Sequence, residues 1–386
     1  LVGVETCAIF LWDQDSAALT PFQQYGLRRE EGAAFSRLRL PQDSPVVREL
    51  ELGKTFVALD SDAGSDGITS VLRRDSLVAL PLVTKGDMLG IMIVDYPGPE
   101  HRLTQRLMTI LSGIAGQAAI AVENDRLLRE SAEQERMKQE LEVAQRIQVS
   151  FLPECCPPVP GWELAALWRS AREVGGDFYD FIPLPVRLGS DGDGGRMGLV
   201  VADVADKGVP AALFMALSRT LLRTVSIDGR SPSDAISRTN DLILADARSD
   251  LFVTMFYTIL QPWSGDIVYV NAGHVPPLVV RAEEGMAEEL RVPGMALGVL
   301  PHERFGEYTS HLKRGDALIL YTDGVTDALN AEQESFGLGR LKELVRDHSH
   351  ESADELAQTI NGAVADFVGD AVQFDDFTLV VARRAT

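Results

Sequence analysis

"REVGGDFYDFI" (Arg172–Ile182) runs a pair of glycines into an aspartate, an aromatic pair and a second aspartate, in a chain that is already strongly acidic. The same arrangement returns in "VVADVADKGVPAALFMA" (200–216), in "LILYTDGVTDALN" (318–330) and in "FDDFTLVVA" (374–382). Asp177 follows the glycine pair at the head of an apolar strand. Asp203 closes the apolar run "LVVAD" before a glycine-bearing turn into a helix, Asp323 closes "LILYTD", and Asp375 and Asp376 stand just before the last strand. A lone Asp-Gly reads as a turn. Four acidic sites, each beside a strongly apolar strand, read as a cleft assembled from distant parts of the chain. Bare, such a cleft is costly, because two carboxylates ~4 Å apart repel by about 1–4 kcal/mol at effective dielectrics of ~80 to ~20. Hard divalent cations reverse that sign, since Mg2+ and Mn2+ prefer carboxylate, carbonyl and water oxygens. A carboxylate shared by two ions about 3.5–4 Å apart can polarise a phosphoryl group and activate a water. Gly175, Gly176, Gly208 and Gly324 are then positions where bare backbone approaches metal or substrate.

Working outward, the C-terminal part alternates strands and helices. "ELAALWRS", "DFYDFIPL", "MGLVVADV", "FVTMFYTILQP", "DIVYVNAGHVPPLVV", "DALILYTDGV" and "FTLVVAR" read as strands. "VPAALFMALSRTLLRTVS" is a helix with Pro210 near its start. "SPSDAISRTNDLILADA", with Ser233 as N-cap, and "SADELAQTINGAVADFV" are two more. Strand runs interrupted by helices predict an α+β fold with sheets packed together and helices outside. Phe178 and Tyr179 are expected in the core. "GSDGDGGR" (189–196) lacks the regular loop and final glutamate of an EF-hand and is expected to be a hairpin turn. "EEGMAEE" (283–289) reads as a solvated loop.

Upstream, residues 123–150 contain no proline or glycine and would make a rod about 40 Å long. With Leu127, Met137, Leu141, Ala144 and Phe151 at a and d positions, Glu130, Gln134 and Gln148 fall in the same seam, where polar residues can fix a register. A parallel dimer helix joining two domains is the expectation. The prolines of "LPECCPPVPG" (152–161) stop it. Before it, "CAIFLWD" with "ALTPFQQYGL", and the two strands of "SLVALPLVTKGDMLGIMIVDY", form hairpins, with a short helix in "SPVVRELELGK". The first residues already read as a strand, so the chain is expected to begin inside a domain.

At 386 residues the chain is long enough for two domains. Its net charge of −21 repels phosphate backbones, which argues against nucleic-acid binding. No apolar run approaches the ~20 residues of a membrane span. Cys7, Cys155 and Cys156 make no disulfide framework and point to a reducing compartment, the cytoplasm, with Cys7 in the core.

Five segments, "REVGGDFYDF", "ADVADKGVPAALFMA", "NAGHVPPLVV", "YTDGVTDALN" and "DDFTLVV", stand in the order found in the SpoIIE/RsbU-type branch of the metal-dependent (PPM) protein phosphatases. The resemblance covers about residues 145–384, and residues 1–122 resemble a GAF sensor domain without its usual first helix. Together these imply a GAF-like α/β sensor (1–122, N-terminally truncated), a helical coiled-coil linker (123–152) and a PPM-type αββα sandwich (153–386). They imply hydrolysis of phosphoserine or phosphothreonine by water activated on two Mn2+ or Mg2+ ions, without a phosphoenzyme. Asp177 and Asp203 would be the catalytic pair. Asp203 would bridge the ions, the Val204 carbonyl would complete one shell, Asp323 and Asp376 would hold the other ion, and Asp177 would sit beside the first or hold its water. Arg172 is the phosphate contact, or a surface ion pair. Asp180 and Asp375 stay open between structural and functional roles. Asp206, in "ADVADKG" where relatives have "GDVSGKG", is an outer acid or faces solvent. His274 could serve as a general acid, but its motif is expected to fix a turn.

The implied substrate is a phosphorylated STAS-domain protein, an anti-sigma-factor antagonist in a partner-switching stress pathway. A homodimer, and a small-molecule or protein signal at the GAF-like domain, complete the expectation. Two other classes compete. "GGDF" (175–178) resembles the hairpin of diguanylate cyclases but lacks its Glu, and a catalytically inactive scaffold would not need the retained acids. No P-loop, dinucleotide fingerprint or nucleophile elbow is present.

Overall fold

The computed structural model describes residues 4–13, 16–51, 54–59, 76–95, 104–185, 195–246, 250–371, 373 and 375–386. It divides into two compact units, Leu1–Arg136 and Met137–Thr386.

The first unit is built on two hairpins. β1 (Cys7–Asp13) pairs antiparallel with β2 (Ala18–Tyr25), and β5 (Ser76–Thr84) with β6 (Asp87–Asp95). Lys85 and Gly86 both take the positive φ angles, 52° and 100°, that a two-residue hairpin turn requires. With β3 (Leu40–Pro41) and β4 (Phe56–Leu59) they form one sheet, in the order β3-β2-β1-β6-β5-β4. Alternation sorts its side chains onto two faces. Leu77, Ala79, Ile91 and Ile93 pack with Phe35 of α1 (Arg29–Phe35) and Val46, Val47 and Leu50 of α2 (Pro45–Glu51). Val78, Leu80, Leu82, Met92 and Val94 pack on Leu111, Ala115 and Ala119 of α3 (Gln105–Phe151). That helix holds an 18-residue window of mean hydropathy 1.2, apolar enough by length and composition to cross a bilayer, which the count of uninterrupted apolar residues did not anticipate.

In the second unit the last turns of α3 lead into β7 (Trp162–Arg169), β8 (Phe178–Leu184) and β9 (Arg196–Val204). Then come helices α4 (Val209–Ile227) and α5 (Pro232–Asp246), and strands β10 (Val253–Leu260), β11 (Asp266–Ala272), β12 (Leu278–Arg281) and β13 (Met286–Glu289). β14 (Tyr308–His311), β15 (Ala317–Tyr321), α6 (Asp323–Thr326), α7 (Gly337–Asp347), α8 (Ala353–Val368) and β16 (Phe377–Arg384) complete it. The strands make two five-stranded antiparallel sheets, β14-β11-β10-β9-β8 and β13-β12-β15-β16-β7. Period-2 alternation decides what each face meets. Leu318, Leu320, Val380 and Ala382 point into a core shared with the first sheet, α4 and α5. Ala317, Ile319, Tyr321, Leu379 and Val381 point out, under α7 and α8. The layers are therefore helix, sheet, sheet, helix.

Several expectations change here. "DIVYVNAGHVPPLVV" is two strands in different sheets, because the left-handed Gly273 (φ 74°) and the Pro276-Pro277 pair end β11 before β12 starts. "EEGMAEE" supplies β13, paired with β12, rather than a free loop. α5 starts at Pro232, so Ser231 caps it, accepting from the Asp234 N–H at 3.2 Å, while Ser233 donates to the Phe305 carbonyl. Residues 189–194 of the expected "GSDGDGGR" turn lie outside the described residues.

Candidate active site

Antiparallel pairing fixes where the acids go. The start of β8 lies beside the end of β9, and the start of β16 beside the end of β15. Asp177 precedes β8 and Asp203 lies near the end of β9 in one sheet; Asp323 follows β15 and Asp375 and Asp376 precede β16 in the other. All five meet at one end of the sandwich.

Asp177 is buried, and its Oδ2 accepts from the Thr322 and Thr378 hydroxyls of the opposite sheet at 2.6 and 2.7 Å. Burial and the Asp203 and Asp376 carboxylates push it well above the usual carboxylate range, against the two hydroxyls. Burial, then Asp323, Asp375 and Asp376, raise Asp203 to about 7. Asp323 is also raised, by burial and by Asp375 and Asp327. Carboxylate raises carboxylate across the cluster, as like charges do, against a hydrogen bond from Asp177 that lowers Asp203 and the Lys207 ammonium that lowers Asp323.

Asp376 has a different task from the one expected of it. Its Oδ1 accepts from the Ala171 N–H at 2.8 Å, and its Oδ2 from the Gly176 N–H at 2.8 Å and the Asp177 N–H at 3.3 Å. A carboxylate so occupied anchors the 170–177 loop. A Cβ on Gly175 would collide with this carboxylate, which explains the first glycine of the pair. Asp375 is the neighbour that opens onto the cleft, with its Oδ1 3.0 Å from Lys207 Nζ. Lys207 was missed in the sequence, although its "DKG" turn carried the signal.

Asp180 is structural: buried on β8, it pairs with Arg219 at 3.1 Å and Arg223 at 2.8 Å, both on α4. Asp206 is exposed and turns back onto the Lys207 N–H at 2.8 Å. Arg172 is exposed, one residue beyond the Ala171 N–H that Asp376 holds. Phe178 and Tyr179 are core.

His274 ties the sheets together. Its Nδ1 lies 2.9 Å from Thr254 Oγ1, on the β10 residue paired with Asp203, and its Nε2 lies 3.0 Å from the Tyr321 carbonyl, two residues before Asp323. Burial lowers it to about 4, so the ring is neutral at pH 7, with Nε2–H donating to Tyr321 and Nδ1 accepting from Thr254. Asn271 accepts the His274 N–H at 2.7 Å and donates to its carbonyl at 2.9 Å. A general-acid role has no support in this enclosure.

Gln148, assigned above to a dimer seam, is instead buried in the second unit. Its side-chain amide donates to the Gly175 carbonyl at 2.5 Å and accepts the Gly175 N–H at 3.1 Å. The end of the long helix thus holds the loop that Asp376 anchors.

The donor set suits a hard divalent cation. The cleft offers carboxylates and the Val204 carbonyl, against which the bare Gly176 backbone packs so closely that a Cβ would clash. Among the described residues no three acidic, His or Cys side chains close on one point.

An αββα sandwich with an acidic cleft at the strand ends of both sheets defines a PP2C-type phosphatase domain. The SiaA-PP2C domain of Pseudomonas aeruginosa has this fold, with a TM-score of 0.56 at 23% identity over 66% of this chain and 98% of that one. Residues 193–385 match the family of Stage II sporulation protein E (SpoIIE), and residues 1–122 match the GAF domain. The chain belongs to the SpoIIE family, with a GAF domain at its N-terminal end, and its second unit is a serine/threonine phosphatase domain of that metal-dependent class. Protein IcfG of Synechocystis sp. is 32% identical over 81% of this chain, which spans about half (52%) of that relative's length. Phosphoserine phosphatase RsbU of Bacillus subtilis is 28% identical over 65% of this chain and 72% of its own.

Proposed function

We propose that the whole chain is a sensor-regulated protein phosphatase that removes phosphate from phosphoserine or phosphothreonine of a STAS-domain anti-sigma-factor antagonist in the cytoplasm. One observation carries this reading: four chain segments, two from each sheet, bring their carboxylates to one cleft, where Asp203, Asp323, Asp375 and Asp376 raise the proton affinity of their neighbours. Two ions, Mn2+ or Mg2+, fit the oxygen donors; when bound they polarise the phosphoryl group and make a water nucleophilic at neutral pH. Asp203, the Val204 carbonyl and Asp177 would hold one ion. Asp203, Asp323 and Asp375 would hold the other, in place of Asp376, whose oxygens are taken by the Ala171, Gly176 and Asp177 N–H groups. Arg172 and Lys207 supply cations for the phosphoryl oxygens.

The relationship to RsbU supports a protein substrate in partner switching. Ile120 and Leu127 stand exposed on α3, seven residues apart, and support a homodimer through that helix. A signal at the GAF unit would act through the dimer. The cyclase alternative fails on geometry: "GGDF" enters β8 with its glycines spent on Asp376 and Val204, and no hairpin tip is made of it.

Phosphate release from a phosphoserine STAS protein, measured with Mn2+ and with chelator, tests the reading. Release that needs Mn2+ supports it. No release from any phosphoprotein, with Mn2+ bound, would leave the scaffold reading in its place.

A further inference from the structure

Building on the phosphatase reading, on which this depends, we infer that a cavity beside the acidic cleft receives an apolar side chain of the substrate protein close to its phosphorylated residue. The cavity, about 220 Å3, lies wholly within the second unit. Its walls are aliphatic and aromatic: Leu329 after α6, Val364 and Val368 of α8, and Phe377 at the head of β16. Val364 and Phe377 belong to the core beneath α7 and α8, so this wall is rigid.

The rim is shared with the cleft. Gly324 and Asp375 both line the cavity, and they adjoin Asp323 and Asp376 in the chain. With consecutive Cα atoms 3.8 Å apart, a segment holding its phosphorylated residue over the carboxylates carries a residue one or two places along to this mouth. Against the walls of Leu329, Val364, Val368 and Phe377 a polar side chain would lose its water without gaining partners, whereas an aliphatic one removes its own surface and the walls' from water. Arg169 holds the other side of the mouth. Its Nε donates to Gln373 Oε1 at 2.6 Å and its guanidinium lies 5.3 Å from the Phe377 ring centre, leaving N–H groups for the carbonyls of an extended segment. A concave apolar space with a few fixed polar groups is what a recognition pocket requires. The cleft handles any phosphomonoester; the cavity distinguishes proteins by sequence.

The test uses the full chain with Mn2+, p-nitrophenyl phosphate, and a set of phosphoserine peptides. One peptide has glycine on both sides of the phosphoserine; the others carry a single leucine one or two places before or after it. The expected result is that leucine at one position raises kcat/KM about 10-fold over the glycine peptide. Ala365, on the exposed side of α8 at the mouth, allows the cavity to be filled from outside the core. Ala365→Trp should erase the leucine gain and leave p-nitrophenyl phosphate turnover unchanged, and Leu329→Ser should reduce the gain in the same way. No leucine gain at any position, or a gain that survives both variants, overturns the cavity assignment while the phosphatase reading stands. Loss of both p-nitrophenyl phosphate and peptide turnover in the unaltered chain takes down both together.

Discussion

Asp95 in the GAF unit and Asp177 in the phosphatase unit are both buried aspartates, 9% and 2% exposed, with opposite surroundings. Asp95 closes β6 and accepts the Glu5 and Thr6 N–H groups at 2.8 and 3.0 Å, fixing the chain's entry to β1. Asp177 receives hydroxyls from the opposite sheet and faces two further carboxylates. A buried acid supplied with backbone donors is an anchor. One crowded by its own kind stores repulsion that a cation relieves. Asp376 shows that the distinction cuts within one cleft, since it is an anchor in the middle of the site.

The contrast is most exposed to failure at Asp203. Asp203→Asn should lower kcat by at least about 10^4-fold with an unchanged far-UV circular dichroism spectrum; comparable turnover would mean the crowding has no function. Next is the proton inventory. In chelator, folded Asp203 keeps its proton up to about pH 7, while the unfolded chain releases it near 3.8. The folded state therefore binds more protons in that window, and stability falls as pH rises through it, by on the order of 4 kcal/mol. Urea unfolding from pH 4 to 8 should show this slope, and saturating Mn2+ should abolish it. Smaller again is the cross-sheet brace. His274→Gln should raise the Mn2+ concentration for half-activation about 30-fold, with a lesser change in KM for p-nitrophenyl phosphate, in line with losses at residues that orient metal ligands. The smallest effect is expected at the other pole. Asp95→Ala should cost about 1–3 kcal/mol of stability through two orphaned N–H groups and leave kcat and the Mn2+ requirement alone.

Much of this was legible in the sequence because it is local. Apolar runs ending in aspartate gave the strands and their ends, and antiparallel pairing then placed Asp177, Asp203 and Asp323 together. What escaped depends on partners far along the chain. Choosing between Asp375 and Asp376 requires knowing which carboxylate meets the N–H groups of Ala171 and Gly176, about 200 residues earlier. The role of His274 depends on the Tyr321 carbonyl, 47 residues away and in the other sheet. Gln148 fits a heptad as well as any polar residue; only the phosphatase surface reveals that its amide is spent on Gly175. Helix α7 went unread because "GLGRLKELVRD" opens on two glycines, which normally signal a break.

Because the acids are divided between the two sheets, the width of the cleft is the gauge of the sandwich itself. Leu318, Leu320, Val380 and Ala382 fill the space between the layers, and a close-packed interior passes on even a single methylene. Enlarging or shrinking one of these side chains shifts Asp203 relative to Asp323 without touching either. A change deep in the filling, invisible from the rim, would then register first as altered preference between a smaller and a larger ion.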